Sequence, residues 1–226
     1  MRDAEIRDVL RARLAVGADS DRDAVVLEEL GLCGGSVRAD LVLVNGVLKG
    51  YEIKSEQDRL VRLPVQASIY SQVFDTVTLA VAERHISTAE GLVPDWWGIE
   101  LAIDDGNGAG VQLKPVREEL PNPSVDAYSL AQLLWRNEAL QVLQKALPSR
   151  KLGHKSRSFL WTRLVESLTL AELKDAVRHA LKSRIGWRVD ELRRRGGEMC
   201  RPFATSSDCQ VQYFGSRSRR YIYRPN

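Results

Sequence analysis

The chain has 226 residues, of which 44% are hydrophobic and 28% charged, with a formal net charge of +3. That is enough for one sizeable domain with an appendage, or for two small ones. With no run of about 18 apolar residues, and an opening MRDAEIRDVL too charged for a secretory signal, a membrane span is excluded and a cytoplasmic location is the expectation.

Cys33, Cys200 and Cys209 form no CxxC pair, so neither a disulfide framework nor a zinc knuckle is indicated. His85, His154 and His179 have no ligand spacing between them, which argues against a histidine-rich transition-metal centre. The charge distribution says more than its total. Residues 1–149 hold 15 Lys/Arg against 23 Asp/Glu, and residues 150–226 hold 18 against 7, so the two parts carry −8 and +11. Such asymmetry fits a nucleic-acid-binding element on an acidic body, or two complementary faces of one molecule.

In chain order, DAEIRDVLRARLA at 3–15 sets Ile6, Val9, Leu10 and Leu14 on one face of an amphipathic helix. AVVLEELGLCGG is read as ending a short helix and entering a strand, with the glycines turning the chain. RADLVLVNG is a strand closed by Asn45-Gly46, a strong hairpin signal, and VLKGYEIKSE is its antiparallel return. DRLVRLPVQASIYSQVFD follows as a helix with Leu63, Gln66, Ala67, Ile69, Tyr70 and Val73 inward. TVTLAVAE is apolar throughout and reads as a central strand. WWGIELAI and GVQLKPV are two further strands. This order predicts an α/β sheet with helices on its faces. PNPSVD at 121–126 marks a boundary, so the expected organisation is a core at 1–125, a helical region at 126–195 and a basic, aromatic tail at 196–226. In the helical region Leu130 to Leu143 are assigned to one helix and Phe159 to Leu168 to another. Thr169 and Glu172 then cap a third that ends near Ile185.

The hairpin carries the candidate chemistry. In GYEIKSE, Glu52 and Lys54 share one face of the strand while Ile53 points the other way, and Asp40 lies near them on the paired strand. Two carboxylates with the Ile53 main-chain carbonyl suit a hard divalent cation such as Mg²⁺. Lys54 would orient or deprotonate an attacking water and offset charge on a phosphorane. The competing explanation is a strand-start aspartate with an exposed Glu-Lys pair, which contributes only about 0–1 kcal/mol; the apolar flanks weigh against it, since buried unpaired charges are unfavourable.

Asp40, eleven intervening residues and Glu52-Ile53-Lys54 resemble the PD-(D/E)xK pattern of restriction-endonuclease-like nucleases. The resemblance implies a restriction-endonuclease-like mixed sheet flanked by helices, with Asp40 and Glu52 on Mg²⁺ (Mn²⁺ substituting) and Lys54 assisting the water. Gln66 and Tyr70, in QASIY, match the QxxxY element of several exonuclease-like branches, where the glutamine supports the site or touches substrate. Many branches also place an upstream glutamate on the metal, here Glu29, with Glu28 as the lesser candidate. Ala39 stands where the motif has proline, a position that shapes the turn and binds no metal. Arg38 and Tyr70, together with Arg217, Arg219 and Arg220 of the tail, are assigned to nucleic-acid contact. The span from RADLVLVNG to VFDTVTLAVA also resembles an uncharacterised bacterial family of nuclease-like proteins found in mobile and defence islands. That implies a role in phage defence, with a partner protein encoded nearby.

The expected function is therefore metal-dependent hydrolysis of phosphodiester bonds in DNA, by a monomer or a homodimer. The alternatives are a catalytically idle nucleic-acid-binding or adaptor subunit, and an effector released by a partner or signal. Trp96 and Trp97 are read as packing residues, Asp75 as a turn residue at a strand start, and His85 receives no role.

Overall fold

The computed structural model describes residues 1–18, 24–104, 110–148 and 152–195, and of these all side chains except those of 15–18 and 185–195. The basic tail, with Arg217, Arg219 and Arg220, lies outside the described residues. The elements run α1 (Asp3–Ala18), β1 (Val25–Leu32), β2 (Val37–Val44), β3 (Leu48–Lys54), α2 (Leu63–Ser71), β4 (Thr76–Ala82), α3 (Ile86–Glu90), β5 (Gly98–Asp104), β6 (Val111–Arg117), α4 (Ala127–Ala131), α5 (Arg136–Ala146), α6 (Arg157–Ser167) and α7 (Leu170–Arg195). The strands form one mixed sheet in the order β1-β2-β3-β4-β5-β6. The β3–β4 and β4–β5 pairs are parallel and the other three antiparallel, because helical crossovers link the first two pairs and short connections the rest.

Helices cover both faces. Ile6, Leu10 and Leu14 of α1 pack on Val26, Leu41, Tyr51, Ile53, Ala80 and Ala102. The opposite face, with Val42, Val44, Leu79 and Val81, buries α2 and then Leu130, Leu143, Leu164 and Leu181 of α4 to α7. The apolar core is thus continuous across the 121–126 segment. Asn122 ties that segment to the sheet layer, its side-chain amide donating to the Ser71 and Phe74 carbonyls, both at 2.7 Å. The hairpin forms as read: Val44 pairs with Leu48 around Asn45-Gly46, and the Asn45 side chain accepts the Val47 N–H at 3.0 Å. Trp97 is fully buried, and the Asp75 side chain accepts the Leu48 N–H at 2.7 Å, as their packing and turn readings require.

Three expectations change. AVVLEELGL is strand from Val25 onward and not the end of a helix, since β1 finds a full partner in β2 and ladder pairing overrides the helical tendency of Leu-Glu-Glu-Leu. The single helix expected over Leu130 to Leu143 is two, broken at Trp135, whose ψ of 158° is extended; there the Trp135 N–H donates to the Glu138 carboxylate at 2.7 Å. The last helix passes Ile185 and reaches Arg195. Its start is as expected: the Thr169 N–H donates to Glu172 at 2.8 Å and the Glu172 N–H to the Thr169 hydroxyl at 3.3 Å. Thr169→Ala is expected to lower stability by about 1 kcal/mol, read as a shift in urea midpoint without a change in m-value.

Candidate active site

β2 and β3 pair regularly only from Val44↔Leu48 to Leu41↔Tyr51. Beyond that point the strands part, and the next residue of β2, Asp40, replaces the ladder with its side chain: Oδ2 accepts the Ile53 N–H at 2.8 Å. The N–H and C=O of one strand residue project from the same edge, so the Ile53 carbonyl also lies on the Asp40 side. A matching irregularity sits in β1. Glu28↔Leu41 and Leu30↔Ala39 are paired, but Glu29, directly opposite Asp40, is skipped and has φ of 55°. A left-handed non-glycine residue inside a strand is strained, and such strain gathers at functional sites. It also resets the alternation: Leu27 and Leu30 of β1, three apart, pack against one core, as do Ala39 and Val42 of β2.

Glu52 and Lys54 project together toward α2, as the period of two requires, while Ile53 faces α1. Both charged groups are buried, at 1% and 5% exposure, and they answer each other: Lys54 Nζ donates to Glu52 Oε1 at 2.5 Å. Gln66 Nε2 donates to the same oxygen at 2.5 Å, and the Tyr70 hydroxyl donates to Glu52 Oε2 and, at 3.1 Å, to the Arg38 carbonyl. Gln66 and Tyr70 are four apart on α2, so one helical turn aims both at the carboxylate. Burial and the neighbouring carboxylates hold the Tyr70 phenol well above its usual pKa, which keeps it a donor. Tyr70 is wholly buried, stacked on Trp97 at 5.6 Å between ring centroids. Its assignment to nucleic-acid contact is therefore corrected: it positions Glu52 and has no surface to offer a strand.

Asp40, Glu52, Ile53, Lys54 and Gln66 open onto a cleft of about 540 Å³. Arg38 lies exposed at its mouth, as does Arg62, which the sequence reading did not single out. Arg7 was also missed. Its guanidinium donates to Asp40 Oδ1 at 3.0 Å and to the Asp40 carbonyl at 2.9 Å, and pairs with Glu29 at 3.3 Å. Only its place beside Asp3, one turn earlier on α1, hinted at a structured charge. Glu28 is turned away onto Arg11 at 2.9 Å.

Among the described residues no three Asp, Glu, His or Cys side chains come together as a metal cluster. Glu29, the expected third acidic ligand, reaches the cleft with its carboxylate paired to Arg7 at 3.3 Å, as Asp40 is at 3.0 Å. What remains is two carboxylates with spare lone pairs and a main-chain carbonyl, an all-oxygen set that fits a hard cation retaining much of its water. The buried Gln66 Oε1 has no hydrogen-bond partner among the described residues.

Burial, then the proximity of Glu52, push the Asp40 carboxyl up to about 7, against the opposing pull of the Ile53 N–H and Arg7. Unfolded, it ionises near about 3.9. Between those values the folded state keeps a proton that the unfolded state has released, so the contribution to stability is present below about pH 4 and lost as pH rises to about 7. In EDTA, the stability of the native protein relative to Asp40→Asn is expected to fall between pH 4 and 7.5; parallel urea midpoints across that range would refute it.

The fold and cleft define a mixed α/β protein whose central sheet carries a buried carboxylate–lysine group at a strand fork. Residues 2–203 match the family described as Bacteriophage P4 protein cII, and the chain belongs to that family. Protein cII of Enterobacteria phage P4 is 40% identical over 96 residues, which span 42% of this chain and 36% of that protein. No solved structure matches the chain.

Proposed function

We propose that the protein is a metal-dependent nuclease that hydrolyses phosphodiester bonds in DNA. The observation that carries this reading is the fork itself, with Asp40 and Glu52 on parting strands, Lys54 beside them, and Gln66 and Tyr70 of the next helix bonded to Glu52. The order α1, three antiparallel strands, α2 and a parallel β4 supports the restriction-endonuclease-like reading. Mg²⁺ or Mn²⁺, held by Asp40, Glu52 and the Ile53 carbonyl, would polarise the phosphodiester and acidify a bound water. Lys54 orients that water and offsets charge on the phosphorane. Gln66 and Tyr70 keep Glu52 in one rotamer, and Arg38 meets a phosphate at the mouth of the cleft. The relative's phage source supports a setting of phage and mobile DNA, in which phage defence and a partner encoded nearby are our proposals for the pathway.

A second reading, an idle nucleic-acid-binding or adaptor subunit, draws support from Arg7, which already neutralises Asp40 and Glu29. The test is incubation of the full chain with linear, circular and single-stranded DNA in Mg²⁺ or Mn²⁺. Cleavage abolished by EDTA supports the nuclease, and surviving circular DNA marks an exonuclease. An inert protein that binds DNA with steep salt dependence supports the second reading.

A further inference from the structure

Beside the carboxylate cleft, between the edge strand β1 and helices α4 to α7, lies a groove of about 440 Å³, within the range of ligand pockets. Glu29 and Gly35 line both cavities, so the two meet at the strained residue opposite Asp40. The groove's walls carry two tryptophans and two arginines, Trp135, Trp161, Arg157 and Arg184.

These aromatics are held as platforms. Trp135 is 46% exposed, with the Arg184 guanidinium 4.2 Å from its ring centroid. Arg184 is fixed in turn, donating to Glu138 Oε1 at 2.7 Å and to the Leu133 carbonyl at 2.6 Å. The Trp161 indole N–H donates to the Leu134 carbonyl at 3.1 Å, and Arg157 lies 5.5 Å from that ring's centroid. Arg157 is exposed and has no carboxylate partner among the described residues. Lys155 repeats the pattern over the exposed Phe159, at 5.1 Å. A large aromatic left in solvent with a cation locked against it suits a flat π-system bearing negative charge nearby.

We propose that this groove is a nucleobase subsite: a base of a single-stranded or frayed nucleic acid stacks on Trp135, with Arg157 on its phosphate, and the backbone continues past Gly35 to Arg38 and the carboxylates. The assignment rests on the nucleic-acid reading of the cleft and names the form of substrate it takes. Bases inside a duplex are already stacked, so the groove selects unpaired ends or single strands.

The experiment measures binding of fluorescein-labelled oligo(dT), oligo(rU) and a blunt hairpin duplex to the full chain in EDTA, for wild type, Trp135→Ala and Arg157→Gln, with unfolding midpoints recorded. Trp135→Ala is expected to weaken single-strand binding about tenfold to a hundredfold and duplex binding little, and Arg157→Gln to flatten its salt dependence. Arg157→Gln lies at an exposed helix start and keeps the test valid if Trp135→Ala fails to fold. Equal affinity of wild type and both variants for single strands overturns the proposal, as does a wild type that binds none, or an association indifferent to salt. Single-strand binding lost in the variants without any cleavage by wild type leaves the subsite standing and the nuclease reading refuted; cleavage unaltered in the variants does the reverse.

Discussion

On the nuclease reading, Lys54→Ala is expected to reduce metal-dependent cleavage by about a hundredfold or more, the range associated with loss of a proton-handling or charge-balancing side chain. The lysine is buried at 5% exposure and has one carboxylate, Glu52, as its partner. Its removal leaves Glu52 with two neutral donors, Gln66 and Tyr70, which fix its position but carry no charge. Some loss of stability accompanies the substitution because a buried carboxylate is left less well compensated. Rates are therefore to be compared per folded molecule, by circular dichroism at the assay temperature, with Lys54→Met as a companion that keeps the apolar stem. Cleavage at the wild-type rate by a folded Lys54→Ala protein would sink the assignment.

Gly50→Val should produce the largest loss of stability, about 3 kcal/mol or more, since overpacking at unyielding sites reaches and exceeds that value. A Cβ at Gly50 would stand 2.6 Å from Phe74 Cδ2 and 2.8 Å from Cε2. Phe74 cannot retreat, being wholly buried and set edge-on against Tyr70 at 5.2 Å between ring centroids. The strain would reach the site through Tyr70, which bonds Glu52 two residues further along the same strand. Chemical denaturation gives the stability; a variant within about 0.5 kcal/mol of wild type would mean that the α2–β3 packing is looser than described.

Much of the site was legible because it is written in local periodicities. Alternation along β3 put Glu52 and Lys54 on one face and Asn45-Gly46 brought Asp40 alongside, while one helical turn set Gln66 and Tyr70 on one face of α2 and the resemblance to QxxxY implied that this face meets the site. Each inference needs a spacing of only a few residues. The chemistry of individual members was less legible: Tyr70 was read as a substrate contact, whereas burial makes it a support, and burial depends on Trp97 and Phe74, which approach it from other elements.

The sequence by itself thus determined the α/β order, the hairpin with Asp40, Glu52 and Lys54 at its open end, the central strand and the cap of the last helix, because period, turn chemistry and capping act between near neighbours; the place of Gln66 beside them was implied by the resemblance of QASIY to the QxxxY element. The tertiary structure alone decided that AVVLEELGL is an edge strand, that Leu130 to Leu143 breaks at Trp135, that Glu29 adopts a left-handed backbone opposite Asp40 and that Arg7 of α1 pairs with both Glu29 and Asp40. Those outcomes follow from which surfaces meet through space and what each buried charge must pair with there, and no local pattern in the chain encodes either.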